Sequence, residues 1–229
     1  MTTNAEFIET VKKAPAEDVR RILAEEPALA DAEDAQGISA VLWAAYFGKM
    51  DNAELLAGSG AKLNFFEMAA LGKEDQVRQL LQSDPGLTTQ VSPDGFTALG
   101  LAAYFARVEV VKILLAAGAD PNIASRNRMK VMPLHSAVAN RNEQSATEMA
   151  HLLVSKGAQV NIAQEGGWTP LQQAAMHGYT PLVAFLLDHG ADLHAKAKDG
   201  RNAFDLATGA NHTQTAALLE AHGAKPKEA

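Results

Sequence analysis

Seven histidines, twenty-seven carboxylates and a spread of aromatic rings are the side chains here that could act on or hold another molecule. His177, His189 and His194 are close enough in sequence to raise the question of a metal. The local pattern answers it: residues 177 and 189 fall on different predicted helices and 194 in the turn that follows. No His-x-x-x-His pair puts two imidazoles on one helical face. No metal and no cofactor is expected. Nucleophile and phosphate motifs are missing too: there is no Gly-x-Ser-x-Gly elbow, no loop ending Gly-Lys-Ser or Gly-Lys-Thr, and no Gly-x-Gly-x-x-Gly after a strand. Gly58-Ser59-Gly60 closes a helix, and carboxylates such as Glu74-Asp75, Asp31 and Asp34 suit helix starts and turns, where the backbone dipole and free N–H groups favour them. A non-catalytic chain follows. One basic cluster, Arg126, Arg128 and Lys130 with His135 nearby, could take a small anionic metabolite, and this is the alternative reading.

With no cysteine, the chain has no disulfide, thiolate metal site or cysteine nucleophile, so packing must supply its stability. The formal net charge of −7 repels phosphate and anionic lipid, which argues against nucleic acid and membrane partners. The first residues lack the basic and apolar stretches of a secretory leader, and no segment approaches a membrane-spanning run. The expected protein is soluble, cytoplasmic and monomeric by itself.

What positions these side chains is a repeat. Residues 7 to 64 superimpose on residues 65 to 122 with a shift of 58, so that Val19-Arg20 meets Val77-Arg78, Pro27 meets Pro85, and Ala44-Ala45-Tyr46-Phe47 meets Ala102-Ala103-Tyr104-Phe105. The glycines that end helices, Gly60, Gly118, Gly157, Gly190 and Gly223, are spaced by 58, 39, 33 and 33 residues. The longest spacing reads as a 33-residue unit plus a shorter 25-residue one, in which Asn64 runs straight into the next helix without a turn. The 39-residue unit carries extra residues in the turn before Met132 and at Arg141 to Gln144, the latter expected between its helices. Residues 165 to 194 show the local chemistry. Gly166-Gly167 makes a turn, Thr169 caps a helix, Pro170 opens it and Gly178 ends it. A second helix then carries Leu182, Val183, Leu186 and Leu187 on one face. So short a helix pair cannot bury its apolar stripe alone, and each must stack on its neighbours.

Gly167-Trp168-Thr169-Pro170-Leu171-Gln172-Gln173-Ala174-Ala175, Met132-Pro133-Leu134-His135-Ser136-Ala137 and Gly118-Ala119-Asp120-Pro121-Asn122 carry a resemblance to the ankyrin repeat family over nearly the whole chain. More narrowly, the chain resembles a bacterial group of stand-alone ankyrin proteins in which turn-less and turn-bearing units alternate. The resemblance implies an all-α fold, a solenoid of stacked helix-turn-helix units with short β-turn or hairpin connections. It forms one domain over 1–229, with units at about 5–34, 35–64, 65–92, 93–124, 125–163, 164–196 and 197–226. The pattern departs at Met132, where a capping Thr is expected, and at Gln172, where the family has His.

The family binds proteins, through turn tips and the exposed side of each first helix, so a protein partner is implied. Carried over position by position, the tips are Ile38, Phe96, Val131, Trp168 and Arg201. The positions near the ends of the first helices are Tyr46 and Phe47, Tyr104 and Phe105, Ala139 and Asn140, and Met176 and His177. Ile38, Tyr46, Phe96, Tyr104, Asn140, Trp168, Met176 and His177 are the partner-binding candidates. Two readings of the rings stay open, as contacts for a partner or as packing between units; burial is the expectation at Phe47 and Phe105, and accessibility at Trp168. His135 resembles the imidazole that ties neighbouring turns together in this family.

Overall fold

The computed structural model describes residues 1–226. Among them are fourteen α-helices. The first three pairs are α1 (Asn4–Lys13) with α2 (Ala16–Glu25), α3 (Ala40–Tyr46) with α4 (Met50–Gly58), and α5 (Phe65–Leu71) with α6 (Glu74–Ser83). They continue with α7 (Ala98–Tyr104) and α8 (Val108–Ala116), then α9 (Pro133–Val138) and α10 (Glu143–Ser155). The last are α11 (Pro170–His177) with α12 (Thr180–Asp188) and α13 (Ala203–Gly209) with α14 (Thr213–Ala221). Successive pairs stack, so the all-α solenoid expected from the period is the observed architecture. Its contacts with the next unit replace the core that a single pair lacks.

First helices begin with a side chain that accepts an otherwise orphaned N–H: Ser39 from Leu42, Thr97 from Gly100, and Thr169 from Gln172. Asn64, Thr169 and Asn202 complete reciprocal boxes, because the residue three further on, Glu67, Gln172 or Asp205, accepts the N–H of the cap itself. Met132 has no such oxygen, and α9 starts uncapped. At the other end, the next unit supplies partners for the terminal carbonyls. The buried Asn52 donates to Val11 O and Ala14 O, Arg107 Nε to Ala70 O, Asn140 Nδ2 to Tyr104 O, and Tyr179 Oη to Asn140 O. Each bond joins two units while satisfying a helix end that water would otherwise have to reach.

The two layers differ in side-chain size. First helices bury alanine pairs, Ala44-Ala45, Ala69-Ala70, Ala102-Ala103 and Ala174-Ala175, whereas second helices bury Leu56, Leu114, Leu153 and Leu186. Small residues let first helices approach closely, so α7 with α9 and α11 with α13 pack more densely than the second helices of the same units. Each fully buried leucine contributes about 2 kcal/mol by leaving water.

Connecting loops project as fingers, and these stack by backbone bonds: Arg126 N donates to Gly95 O, Glu165 N to Met129 O, and Lys198 N to Gly166 O. Unit three has no finger, because Asn64 caps α5 directly. The finger of unit two therefore leans on that of unit four, with Gly37 beside Pro93 and Tyr46 Oη donating to Asp94.

The extra residues of the fifth unit behave differently from the expected interhelical loop. Glu143 and Gln144 are helical, Asn142 caps them, and α10 has 13 residues where α8 and α12 have 9. Four residues are close to one turn of about 3.6 residues, so the insertion lengthens the helix without rotating its buried face.

Candidate functional site

On the first-helix side, the fingers of units four and five and the ends of α3, α7 and α9 enclose a groove floored by rings. Tyr46 lies at the centre, 6.2 Å from the Tyr104 ring, 5.6 Å from Phe105 and 6.3 Å from Trp43. These are tilted or edge-on contacts, the arrangements that ring quadrupoles favour. Two cavities open onto this floor and share Tyr46 and Tyr104. One, of about 370 Å³, runs under the fingers and is lined also by Phe96, Met129, Val131 and Gln173. The other, of about 430 Å³, runs toward the helix ends and is lined also by Phe105, Asn140 and Arg141. Burial, then the neighbouring Asp94 charge, raise the Tyr46 hydroxyl far above the ordinary phenol range, so it stays a donor to that carboxylate.

The structure brings together only part of the expected set. Tyr46, Phe96, Tyr104 and Asn140 meet in the groove. The Asn140 side chain is engaged there, its amide N–H donating to Tyr104 O and its amide oxygen accepting from Asn142 N–H, which is reason enough for an asparagine at that position. Ile38 does not reach a partner surface: it is only 8% exposed and packs with Leu42, Ala70 and Leu101. The missing finger of unit three is the cause, since it lets the neighbouring fingers close over this tip. Trp168 is half-buried and lines neither cavity; its ring sits beside Gly166, with the Arg201 guanidinium 5.5 Å from its centroid. Met176 is exposed and His177 stacks on Tyr179 at 5.3 Å, both one unit beyond the two cavities.

Phe47 reverses the expectation of burial. It is 52% exposed, tilted against Trp43 at 6.0 Å, with Lys12 Nζ 3.9 Å from the Trp43 centroid and 5.4 Å from that of Phe47. Its counterpart Phe105 is half-buried because it packs on the Tyr46 and Tyr104 rings and on the cluster of Ile38, Leu42, Ala70 and Leu101, whereas Phe47 meets Trp43 and the lysine there. Trp43, Met129 and Gln173 are groove residues that sequence reasoning missed, while Arg141 belongs to the insertion that the broken period already marks as a secondary contact candidate. Trp43 had a signal, standing three residues before Tyr46 on one helix.

His135 is 1% exposed, and its Nε2 bonds to Trp168 O at 3.0 Å, tying unit five to unit six as the resemblance implied. A carbonyl oxygen only accepts, so the ring proton is on Nε2, and Nδ1 has no partner among the described residues. Burial lowers its pKa to about 4, leaving a neutral ring. It therefore offers an anion no charge, and Arg126, Arg128 and Lys130 stand exposed on the finger outside it. Among the described residues no group of three or more His, Asp or Glu could hold a metal ion. No helix there is long and apolar enough to cross a membrane.

Comparison with known proteins agrees with this geometry. A model of ankyrin repeats in three copies matches residues 65–164 and 134–229, well over half the chain. The chain is 32% identical over 183 residues to the transient receptor potential cation channel subfamily A member 1 homolog of Caenorhabditis elegans, covering 76% of this chain and 14% of that one. It is 31% identical over 172 residues to the human neurogenic locus notch homolog protein 2, covering 75% of this chain and 7% of that protein. Ankyrin repeat and SAM domain-containing protein 6 of Rattus norvegicus is 29% identical over 143 residues, 62% of this chain and 12% of the relative. The chain thus spans a small fraction of the curated relatives it matches.

Proposed function

The chain belongs to the ankyrin repeat family, and from that premise we propose that it is a non-catalytic binding module whose groove of fingers and first helices grips a partner protein, as adaptor, inhibitor or regulatory subunit. Ankyrin repeats generally serve as protein-protein interaction modules. The observation that carries the proposal is the ring-floored groove with its two adjoining cavities. Aromatic side chains in partly desolvated pockets supply much of the energy of protein interfaces, and tyrosine combines a large apolar face with a polar tip. Exposed apolar surface of this kind is costly in water unless something covers it in use. The module is proposed to work as a monomer in the cytoplasm.

A quantitative pull-down from native extract tests this, using the wild-type chain, Tyr104→Ala, Phe96→Ala and the control Lys112→Ala on the exposed side of α8. Recovery of the partner is expected to fall sharply with either groove variant and to hold with the control. Equal recovery by all four chains removes the groove from consideration.

A further inference from the structure

The groove differs in charge from the rest of the molecule. From Pro121 to Asn142 the sequence contains no acidic residue and four cations, Arg126, Arg128, Lys130 and Arg141, in a chain of net charge −7. The fold puts these cations at both ends of the ring-floored groove. The first three stand exposed on the finger whose Met129 and Val131 line one cavity, and Arg141 lines the other. Among the described residues none of the four has a carboxylate within ion-pair distance. The acids near the finger are occupied: Asp94 accepts from Tyr46 and Ser92, and Glu165 pairs with Lys198; at the other end Glu143, which opens α10 two residues after Arg141, forms no ion pair among the described residues. Lys130 adds to the field that lowers the Glu165 pKa but forms no pair with it.

We infer that the groove takes an extended, acidic segment of a partner protein, with a large apolar or aromatic side chain seated on Tyr46 and Tyr104 and carboxylates on either side of it. This rests on the groove being the binding face and adds the chemistry of what occupies it. The apolar part follows from the cavities. At about 370 and 430 Å³ they are of the size that takes a large side chain with a flanking segment, and Met129, 45% exposed on the finger, can close over it. The acidic part follows from charge complementarity, since unpaired cations at the rim gain most from carboxylates and steer their approach. Rings plus cations also suit single-stranded nucleic acid. The overall negative charge disfavours a partner bearing a phosphate at every residue more than one bearing a few carboxylates.

Selection of a random peptide library displayed on phage against the immobilised full-length chain tests the inference. It is followed by titration of the enriched peptides into wild type, Tyr104→Ala, the triple variant Arg126→Glu/Arg128→Glu/Lys130→Glu and the control Lys112→Glu, each first shown to keep the wild-type unfolding midpoint. Enriched peptides are expected to carry carboxylates around a Trp, Phe, Tyr or Leu. They should bind roughly tenfold or more weakly to the triple variant and in high salt, fail with Tyr104→Ala, and ignore Lys112→Glu. Peptides that need Tyr104 but show no acidic bias and tolerate the triple variant overturn the inference and leave the groove reading standing. Peptides indifferent to Tyr104→Ala overturn both. Failure to enrich any peptide, or displacement of an acidic peptide by a single-stranded oligonucleotide that binds more tightly, overturns the inference.

Discussion

Replacing His135 by glutamine should change how stability depends on pH while leaving the fold intact. Glutamine is already used at the equivalent position of the next unit, where Gln172 Nε2 donates to Ala195 O and Arg201 O, so the amide introduced by His135→Gln can keep the bond to Trp168 O. The buried imidazole has a pKa of about 4 against an ordinary value of 6.5, so between these values the unfolded chain binds a proton that the folded chain refuses. A folded pKa that is depressed makes stability rise with pH through that window. The contribution is complete above pH 6.5 and declines as pH falls toward 4. One pKa unit is worth about 1.4 kcal/mol, so relative to neutral pH this residue withdraws about 2 kcal/mol at about pH 5 and about 3 kcal/mol at about pH 4. Urea unfolding of the two chains between about pH 7.5 and about pH 4.5 measures it. The wild type should lose stability faster on acidification, and the difference isolates His135 because every other titrating group is common to both. Parallel curves would mean that the imidazole is solvated or protonated in the folded chain, and the burial argument would fail.

Glu67, buried with Asp31 and Glu33 nearby, has its pKa raised chiefly by burial, so its charge costs stability above its ordinary range. Glu67→Gln keeps an acceptor for Asn64 N–H and should raise the urea midpoint at neutral pH, with the gain shrinking as acid protonates the wild-type carboxyl; a loss at neutral pH would contradict this. Gly95→Ala and Gly60→Ala both force alanine into the left-handed region, at about 1 kcal/mol. Only Gly95 also brings a Cβ to 2.7 Å from Asn127 N, whereas Gly60 faces open space. Displacing the finger and its bond from Arg126 N should bring the Gly95→Ala loss to about 3 kcal/mol, and equal losses in thermal or urea unfolding would show that the fingers are not held together as described.

The solenoid was legible because its determinants are local and repeat: caps such as Thr169, helix-opening Pro170, closing Gly178 and the leucine stripes recur at the same offsets, and each names its own secondary structure. Residues whose surroundings come from another unit were less legible. Ile38 has the pattern of an exposed tip, and only the absence of a finger one unit further on buries it. Phe47 and Phe105 are twins in sequence, yet one meets solvent and a lysine while the other packs on the Tyr46 ring two units away. The added residues at Arg141 to Gln144 have the pattern of a surface loop, and they lengthen a helix because Asn142 caps it and Ala146 and Met149 must stay buried. The groove was half legible: its tyrosines came from the duplicated Ala-Ala-Tyr-Phe run, Asn140 from its place in the repeat and Arg141 from the broken period, but their meeting in one groove, and the parts of Met129 and Gln173, depend on how units two, four and five sit together.

The claim that the finger and first-helix side holds a partner is tested most directly by placing a photo-crosslinking phenylalanine derivative at Met129, on the finger over the groove, or at Lys112, on α8, and irradiating cells that express the chain. A discrete protein adduct is predicted from position 129, lost when Tyr104→Ala is added, and none from position 112. An adduct from position 112 with none from position 129 would contradict the account.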